Sequence, residues 1–349
     1  MRYRVLGKTG LKVSEVGMGT WQLSGRPWGW DVPDEQESMR ALYRFVELGG
    51  NFIDTAWVYG RYDEPGDPKG GTPSEEFIGK FLKGSGNRDK VIIATKIPGK
   101  NHKWPAWKGI SITEVFPDKY IEEMVDSSLE HLGVETIDLM QFHVWQDDFA
   151  TEDVWKEKIQ KITKKGKVKN WGISINDYQP SNCLKTLDTG LISSVQFIFN
   201  IFHQKPEEKL LPYAKINNIG LITRVPLDEG GLTSRLNLDS KFDDPLRSVY
   251  FKKERLKEFI PRIKELEKLL DGEAKSLPQL ALRWILSHNE VSVAIPGTRK
   301  VKYVEENTSV SDGRKLSKEL MQELKKHSWE RNFYPDFDPS MKESGYIEK

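Results

Sequence analysis

The chain of 349 residues carries 53 Lys and Arg against 52 Asp and Glu, a net charge of +1. That balance points to no polyanionic partner, neither nucleic acid nor an anionic membrane surface, and 37% hydrophobic with 30% charged residues is the composition of a soluble globular protein. The single cysteine, Cys183, excludes an intrachain disulfide and a thiolate metal cluster; no apolar run approaches the roughly 20 residues of a membrane span, and the opening MRYRVLGKTG has no signal-peptide core, so a cytoplasmic location is expected.

The first predicted element is a hairpin in YRVLGKTGLKVSEV, turning at Lys8–Gly10 and forming a cap over residues 1–15. Short apolar runs then alternate with longer amphipathic ones. The apolar runs are VGMGTW, NFIDTA, VIIATK, IDLMQFH, VKNWGIS, VQFIFN, IGLITRVP and VSVAIPG. Helical spacing fills Asp34–Leu48, Ser74–Leu82, Lys119–His131, Glu152–Lys164, Ser181–Asp188, Lys209–Asn217 and Leu277–Ser287, and a short helix over Val301–Asn307 follows the last run. Near-continuous apolar strands separated by helices indicate parallel pairing with both faces covered. Eight such units close into a (β/α)8 barrel over residues 16–307, with an open doubly wound sheet as the rival; a helical insertion near Glu254–Leu270 is extra, and a helix near Ser317–Arg331 and a tail make up 308–349. No composition shift or linker divides the chain, so one barrel domain is expected over 1–349. Gly60–Pro73, Gly99–Pro117 and Asp228–Lys253 exceed ordinary connections, and each follows a strand, which places them as covers on the C-terminal face.

Barrel chemistry gathers where strands end. The second run ends in Asp54 with Tyr59 just beyond, the third in Lys96, the fourth in His143. A carbonyl that receives hydride needs a proton at oxygen. Tyr is a weak acid with a free pKa of about 10; a Lys cation nearby lowers it, an Asp holds the Lys, and a His orients the carbonyl. Singly, each has a plainer reading: Asp as a helix cap, Tyr as core, His as a structural residue. Together, at consecutive strand ends, they form a reactive cluster.

These segments resemble the aldo-keto reductase family. NFIDTAWVYG is similar to its second-strand signature, VIIATK to its Lys strand, IDLMQFH to its His strand, KKGKVKNWGIS to its fifth strand, and VAIPG with EEN to its eighth unit. The likeness runs from about Tyr3 to Asn307. It implies catalytic Asp54, Tyr59, Lys96 and His143, with Tyr59 the proton donor. It also implies a nicotinamide cofactor, with Ser174, Asn176 and Gln196 on the carboxamide, and Gly19, Thr20 and Trp21 beside it. Arg224 aligns where the family often sets an aromatic ring against the nicotinamide; Arg can also stack on a flat ring. Val225, Pro226, Leu227 and Gly231 align with the loop over the pyrophosphate.

No GxGxxG follows a strand and no HExxH occurs, so neither a Rossmann module nor such a zinc site is indicated. After the eighth strand, Gly297, Thr298, Arg299 and Lys300 open a helix, and free amides there suit phosphate. Arg299, Lys300 and Lys302 supply cations for a 2′-phosphate, which favours NADP(H) over NAD(H). Tyr303 stands where many relatives have Arg, and Glu306 and Asn307 are expected at the adenine.

Seven tryptophans fall in strand-end loops: Trp21, Trp28, Trp30, Trp57, Trp104, Trp107 and Trp145. Aromatic rings line pockets or pin loops; Trp21, Trp57 and Trp145 adjoin the reactive strand ends and are expected in the substrate pocket. The basic loop GKNHKWPAWKG suits an anionic substrate. The reading is a reductase of an aldehyde or ketone. Its rivals are a nucleotide-binding regulatory subunit with slow turnover, as some members of the family are, and a Schiff-base aldolase using Lys96, which the Asp54 pairing disfavours because a nucleophilic Lys must be neutral.

Overall fold

Each predicted apolar run forms a strand in the computed structural model, which describes residues 1–23, 34–60, 73–270 and 272–345. The loop at Gly60–Pro73 therefore lies mostly outside the described residues, as do Trp28 and Trp30. Strands β1 (Tyr3–Val5) and β2 (Lys12–Ser14) pair antiparallel. Eight further strands follow: β3 (Met18–Gly19), β4 (Phe52–Asp54), β5 (Ile92–Ile97), β6 (Ile137–Trp145), β7 (Val168–Ile175), β8 (Ser194–Ile198), β9 (Gly220–Arg224) and β10 (Val293–Ala294). They lie side by side in chain order, all parallel. Parallel bridges Val16–Ala294 and Gly19–Gly297 join the first to the last, with Gly17 N donating to Ala294 O at 2.8 Å and Thr298 N to Gly19 O at 3.2 Å. The sheet closes on itself, so the (β/α)8 barrel stands and the open sheet does not.

Phe52, Ala94, Leu139, Ile222, Val293 and Ile295 pack together with Leu6 and Val13 of the hairpin. The hairpin thus plugs the N-terminal floor of the barrel. Gly7 is required there: its φ is +49°, and a Cβ would meet Gly220 N at 2.1 Å. The floor is stability; the open C-terminal rim is left for chemistry.

The helices cover the outside because one face of each is apolar. Asp34 caps the helix Glu35–Glu47 by accepting from Gln36 N and Glu37 N at 2.9 and 3.0 Å. Gly133, left-handed, ends Asp118–Leu132. The predicted helix at Leu277–Ser287 has those same bounds, with Ser276 as its cap. No helix among the described residues is long and apolar enough to cross a membrane.

Two elements differ from expectation. The C-terminal helix covers only Lys318–Lys325. Beyond it the chain unwinds so that Trp329, Arg331 and Phe333 can pack against Phe202 and Phe259, a burial that helical geometry cannot offer to residues two apart. The tail, which has few helix signals, then forms two single turns, Tyr334–Phe337 and Ser340–Glu343.

Candidate active site

β4, β5 and β6 are neighbours, so Asp54, Lys96 and His143 arrive at one rim. Lys96 is fully buried, and its Nζ meets Asp54 Oδ1 at 2.5 Å, Thr55 O at 2.7 Å and the Tyr59 hydroxyl at 3.5 Å. A lone ammonium in that position would be prohibitive; the paired carboxylate and the carbonyl make it tenable. The other Asp54 oxygen accepts from Gln196 Nε2 at 2.8 Å and Gln141 Nε2 at 3.3 Å. The pair is therefore braced from two more strands.

Burial lowers the Lys96 pKa, and Asp54 opposes that shift. The Tyr59 pKa lies above its ordinary value, from burial first and then the Asp54 charge, against the pull of Arg224. Proximity to Lys96 alone predicts a lowered value; desolvation of the phenol wins instead, and Tyr59 keeps its proton. His143 is held well below its ordinary pKa by burial and then by Lys96 and Arg224, so it is neutral. Its ring meets Tyr59 edge-on at 5.7 Å and Trp104 edge-on at 5.1 Å.

Above this cluster lies a cavity of about 790 Å³. Asp54, Tyr59 and His143 line it, and Lys96 sits just beneath. Gly19, Thr20, Trp21, Gln196, Arg224, Val225, Pro226, Leu227, Gly297, Tyr303, Glu306 and Asn307 also line it. One cleft thus joins the reactive strand ends to the turn after β10.

Other expected residues fall elsewhere. Ser174 is buried in register with Gln196, and its Oγ has no hydrogen-bond partner among the described residues. Asn176 is spent on the backbone: Ala106 N donates to its Oδ1 at 3.0 Å and its Nδ2 donates to Ala106 O at 3.2 Å. Gly231 lies behind its neighbour Gly230, which does line the cleft. Thr298 is buried and accepts from Asn307 Nδ2 at 3.1 Å. Lys300 is exposed and Arg299 half-buried at the helix start, where Val301 N already donates to Glu37 Oε1 at 3.0 Å.

Two pocket expectations are corrected. Trp145 is fully buried in the layer between strands and helices, against Phe149 and Trp155, with its Nε1 donating to Thr186 Oγ1. The β6–β7 register shifts between Phe142 and Trp145, and that irregularity turns Trp145 outward although His143, two residues earlier, faces the cavity. Trp57 also points outward and donates from Nε1 to Ser127 Oγ at 2.9 Å. Of the described loop tryptophans, Trp21 and Trp104 face the cavity.

Trp104 opens a wall that sequence reasoning largely missed. Its Nε1 donates to Asp177 Oδ2 at 2.9 Å, and Asp177 Oδ1 pairs with Arg224 at 2.5 Å. Burial works against the Arg224 charge, yet Asp177 and its neighbours raise its pKa. Glu229, Tyr334, Phe337, Asp338 and Met341 complete the wall. The tail is clamped in place by the buried pair Arg331–Asp228 at 2.5 Å. Asp177 directly follows the strand-end Asn176, and Glu229 lies in a loop already marked as too long; Tyr334 carried no sequence signal at all.

The family model described as the aldo/keto reductase family matches residues 15–328. The chain belongs to the aldo-keto reductase family. It is 32% identical over 304 residues to the aldo-keto reductase YhdN of Bacillus subtilis, covering 86% of each. Among solved structures, the glycerol dehydrogenase AKR11B4 of Gluconobacter oxydans matches with a TM-score of 0.73 and 30% identity, over 93% of this chain and 94% of that one. Two further relatives differ by name in cofactor. An aldo-keto reductase of Schizosaccharomyces pombe, yakc [NADP(+)], is 27% identical over 79% of this chain and 78% of its own length. The NADH-specific methylglyoxal reductase of Escherichia coli is 26% identical over 87% and 91%.

The cleft fits a nicotinamide dinucleotide by its own features. The Gln196 amide lines one end, and the orphaned Ser174 hydroxyl is buried beside it in register. At the far end Gly297 is exposed at the rim, where a Cβ would collide with the Gln22 side chain at 2.1 Å.

Proposed function

We propose that this family member reversibly reduces a small aldehyde or ketone at Tyr59, with NADP(H) as the preferred cofactor. The observation that carries the reading is the buried Lys96 ammonium, 2.5 Å from Asp54 and 3.5 Å from the Tyr59 hydroxyl, beneath a cavity that Tyr59 and neutral His143 both face. A nicotinamide bound in the cleft supplies the hydride.

The chain's own residues do the rest. Neutral His143 donates a hydrogen bond that orients the carbonyl oxygen toward Tyr59. Tyr59, protonated because its burial disfavours the phenolate, gives its proton to that oxygen as negative charge develops there. The phenolate left behind faces the Lys96 ammonium, which stabilises it until a proton returns from solvent. Asp54 keeps the ammonium in place, and Gln141 and Gln196 keep Asp54 in place. Ser174 and Gln196 are proposed to hold the carboxamide, and Arg224, locked on Asp177, flanks the ring. Asn176 acts through the Ala106 loop rather than by direct contact.

The preference for the 2′-phosphate rests on the cations Arg299 and Lys300 at the turn after β10. Glu37, which caps that turn's first amide, argues for a moderate preference, since a carboxylate beside a phosphate is repulsive. Titration of the protein with NADPH and NADH, followed by tryptophan fluorescence, tests it; equal affinities remove the 2′-phosphate assignment. Tyr59→Phe is the test of the chemistry. It is expected to retain cofactor binding and lose about 10²- to 10⁴-fold in kcat, and wild-type turnover in that variant overturns the proton-donor role.

A further inference from the structure

Glu229 is a carboxylate in an unusual place. It lies on the wall of the reactive cavity, 7% exposed, in the left-handed region at φ +55°. The Tyr334 hydroxyl donates to its Oε1 at 2.5 Å. Its Oε2 takes no hydrogen bond among the described residues, although the residue faces the cavity. A carboxylate has about four acceptor sites, and those on Oε2 are open to a donor in the cavity.

The groups around it set what that donor is. Arg224 and Tyr59 are close enough for their charges to interact with that of Glu229. Asp177 and Asp228 also act on its charge, but each is already paired, with Arg224 and Arg331. Tyr334 belongs to the tail whose Ser340 Oγ donates to Trp104 O at 3.2 Å, and Trp104 packs on His143. Glu229 therefore shares a wall with the residue that orients the carbonyl. An anionic substrate would be repelled by the Glu229 carboxylate. A cationic one would have to shed its hydration at this buried wall, where Arg224 and Lys96 already hold their own carboxylates. A neutral hydroxyl donates to the carboxylate without either penalty.

We propose that Glu229, held by Tyr334, is a specificity-determining residue that accepts a hydrogen bond from a substrate hydroxyl, so that the favoured substrates are neutral hydroxylated aldehydes or ketones. This rests on the reductase reading above. It also separates two functions in the pocket: His143 and Tyr59 hold the carbonyl, and Glu229 reads the carbon chain attached to it.

The test compares glyceraldehyde with propanal, which has the same carbon skeleton and no hydroxyls, and with glyoxylate as an anionic aldehyde. Steady-state kinetics are measured for the wild type, Glu229→Ala, Glu229→Gln and Tyr334→Phe. The wild type is expected to favour glyceraldehyde. Glu229→Ala is expected to cut the glyceraldehyde-to-propanal ratio of kcat/KM by about ten- to a hundred-fold, mostly through KM. Glu229→Gln keeps an acceptor and restores part of the ratio. Tyr334→Phe keeps the ring and lowers the ratio by about threefold. NADPH titration and thermal unfolding of each variant separate this from damage to the cofactor cleft or the fold.

An unchanged ratio in Glu229→Ala, with propanal still reduced, overturns the assignment and leaves the reductase reading intact. So does a wild-type preference for glyoxylate, or a loss of NADPH affinity that equals the loss of turnover on both aldehydes. Failure of the wild type to oxidise NADPH or NADH with any of the three overturns the reductase reading and this assignment together.

Discussion

Lys96–Asp54 at the strand ends and Arg331–Asp228 under the tail are both buried ion pairs at 2.5 Å. Their chemistry is the same and their surroundings are not. Lys96 shares its charge with a phenol that faces the cavity. Arg331 has no such neighbour at the cavity; its guanidinium lies against Trp329, Phe202, Phe259 and Phe333 and donates to Asp228, Trp329 O and the Tyr250 hydroxyl, a phenol that does not line the cavity. On the proposed reading the first pair serves chemistry, while the second, ringed by aromatic faces, clamps the tail.

Single substitutions sharpen that contrast. Tyr59→Phe should cost orders of magnitude in turnover while leaving the unfolding midpoint nearly unchanged. Arg331→Met should show the opposite pattern. It strands Asp228 in the interior and is expected to destabilise the protein by about 3–5 kcal/mol in urea unfolding. Turnover per folded molecule should fall far less than in Tyr59→Phe, because Arg331 touches nothing that reacts. Equal losses of activity in the two variants, per folded molecule, would erase the distinction between site and clamp.

The clamp was invisible in the sequence and the gathering of the candidate site residues was not, for a physical reason. Asp54, Lys96 and His143 each end an apolar run, and period-two strands in chain order force neighbouring ends together. Asp228 and Arg331 are 103 residues apart, with no periodic pattern to bring them together. Only tertiary packing of Trp329 and Phe333 does so. The same limit explains Trp145. A strict strand alternation puts it beside His143, but the register shift in β6 reverses its face, and nothing in IDLMQFHVW announces that shift. The barrel itself was legible almost throughout, since the alternation of apolar runs and amphipathic segments is repeated eight times and survives an error in any one.

Glu229 stands between site and clamp, and its titration tests which it resembles. Burial raises its pKa to about 7 from the ordinary 4.5; Asp228 and Asp177 push the same way, while the Tyr334 hydrogen bond and Arg224 pull it down. A carboxyl whose folded pKa is raised binds its proton more tightly when folded. Its stabilising contribution is full below about pH 4.5 and is lost as pH rises toward 7. Glu229→Gln should therefore match the wild type near pH 4.5 and become the more stable of the two by pH 8, by up to about 3 kcal/mol. A structural acid has no reason to be kept under such a penalty; a substrate contact does. Parallel stability curves for the two proteins from pH 4.5 to 8 would show that Glu229 is solvated or fully paired, and would remove the electrostatic support for its role.

The smallest effect belongs to Trp57, and it decides whether adjacency to a reactive strand end makes a pocket residue. Trp57 lies two residues before Tyr59 by number, yet its ring is directed to the helix behind β4 and β5, where it donates to Ser127 and packs near His131. Trp57→Phe removes one buried hydrogen bond and part of a ring, which costs about 1–2 kcal/mol. It removes nothing that a substrate would touch. KM for any reducible aldehyde should stay within about twofold of the wild type, whereas Trp104→Phe, on the cavity side and hydrogen-bonded to Asp177, should move it further. If Trp57→Phe shifted KM as much as Trp104→Phe does, the outward placement of Trp57 would carry no functional meaning. The cavity wall would then extend behind the strands.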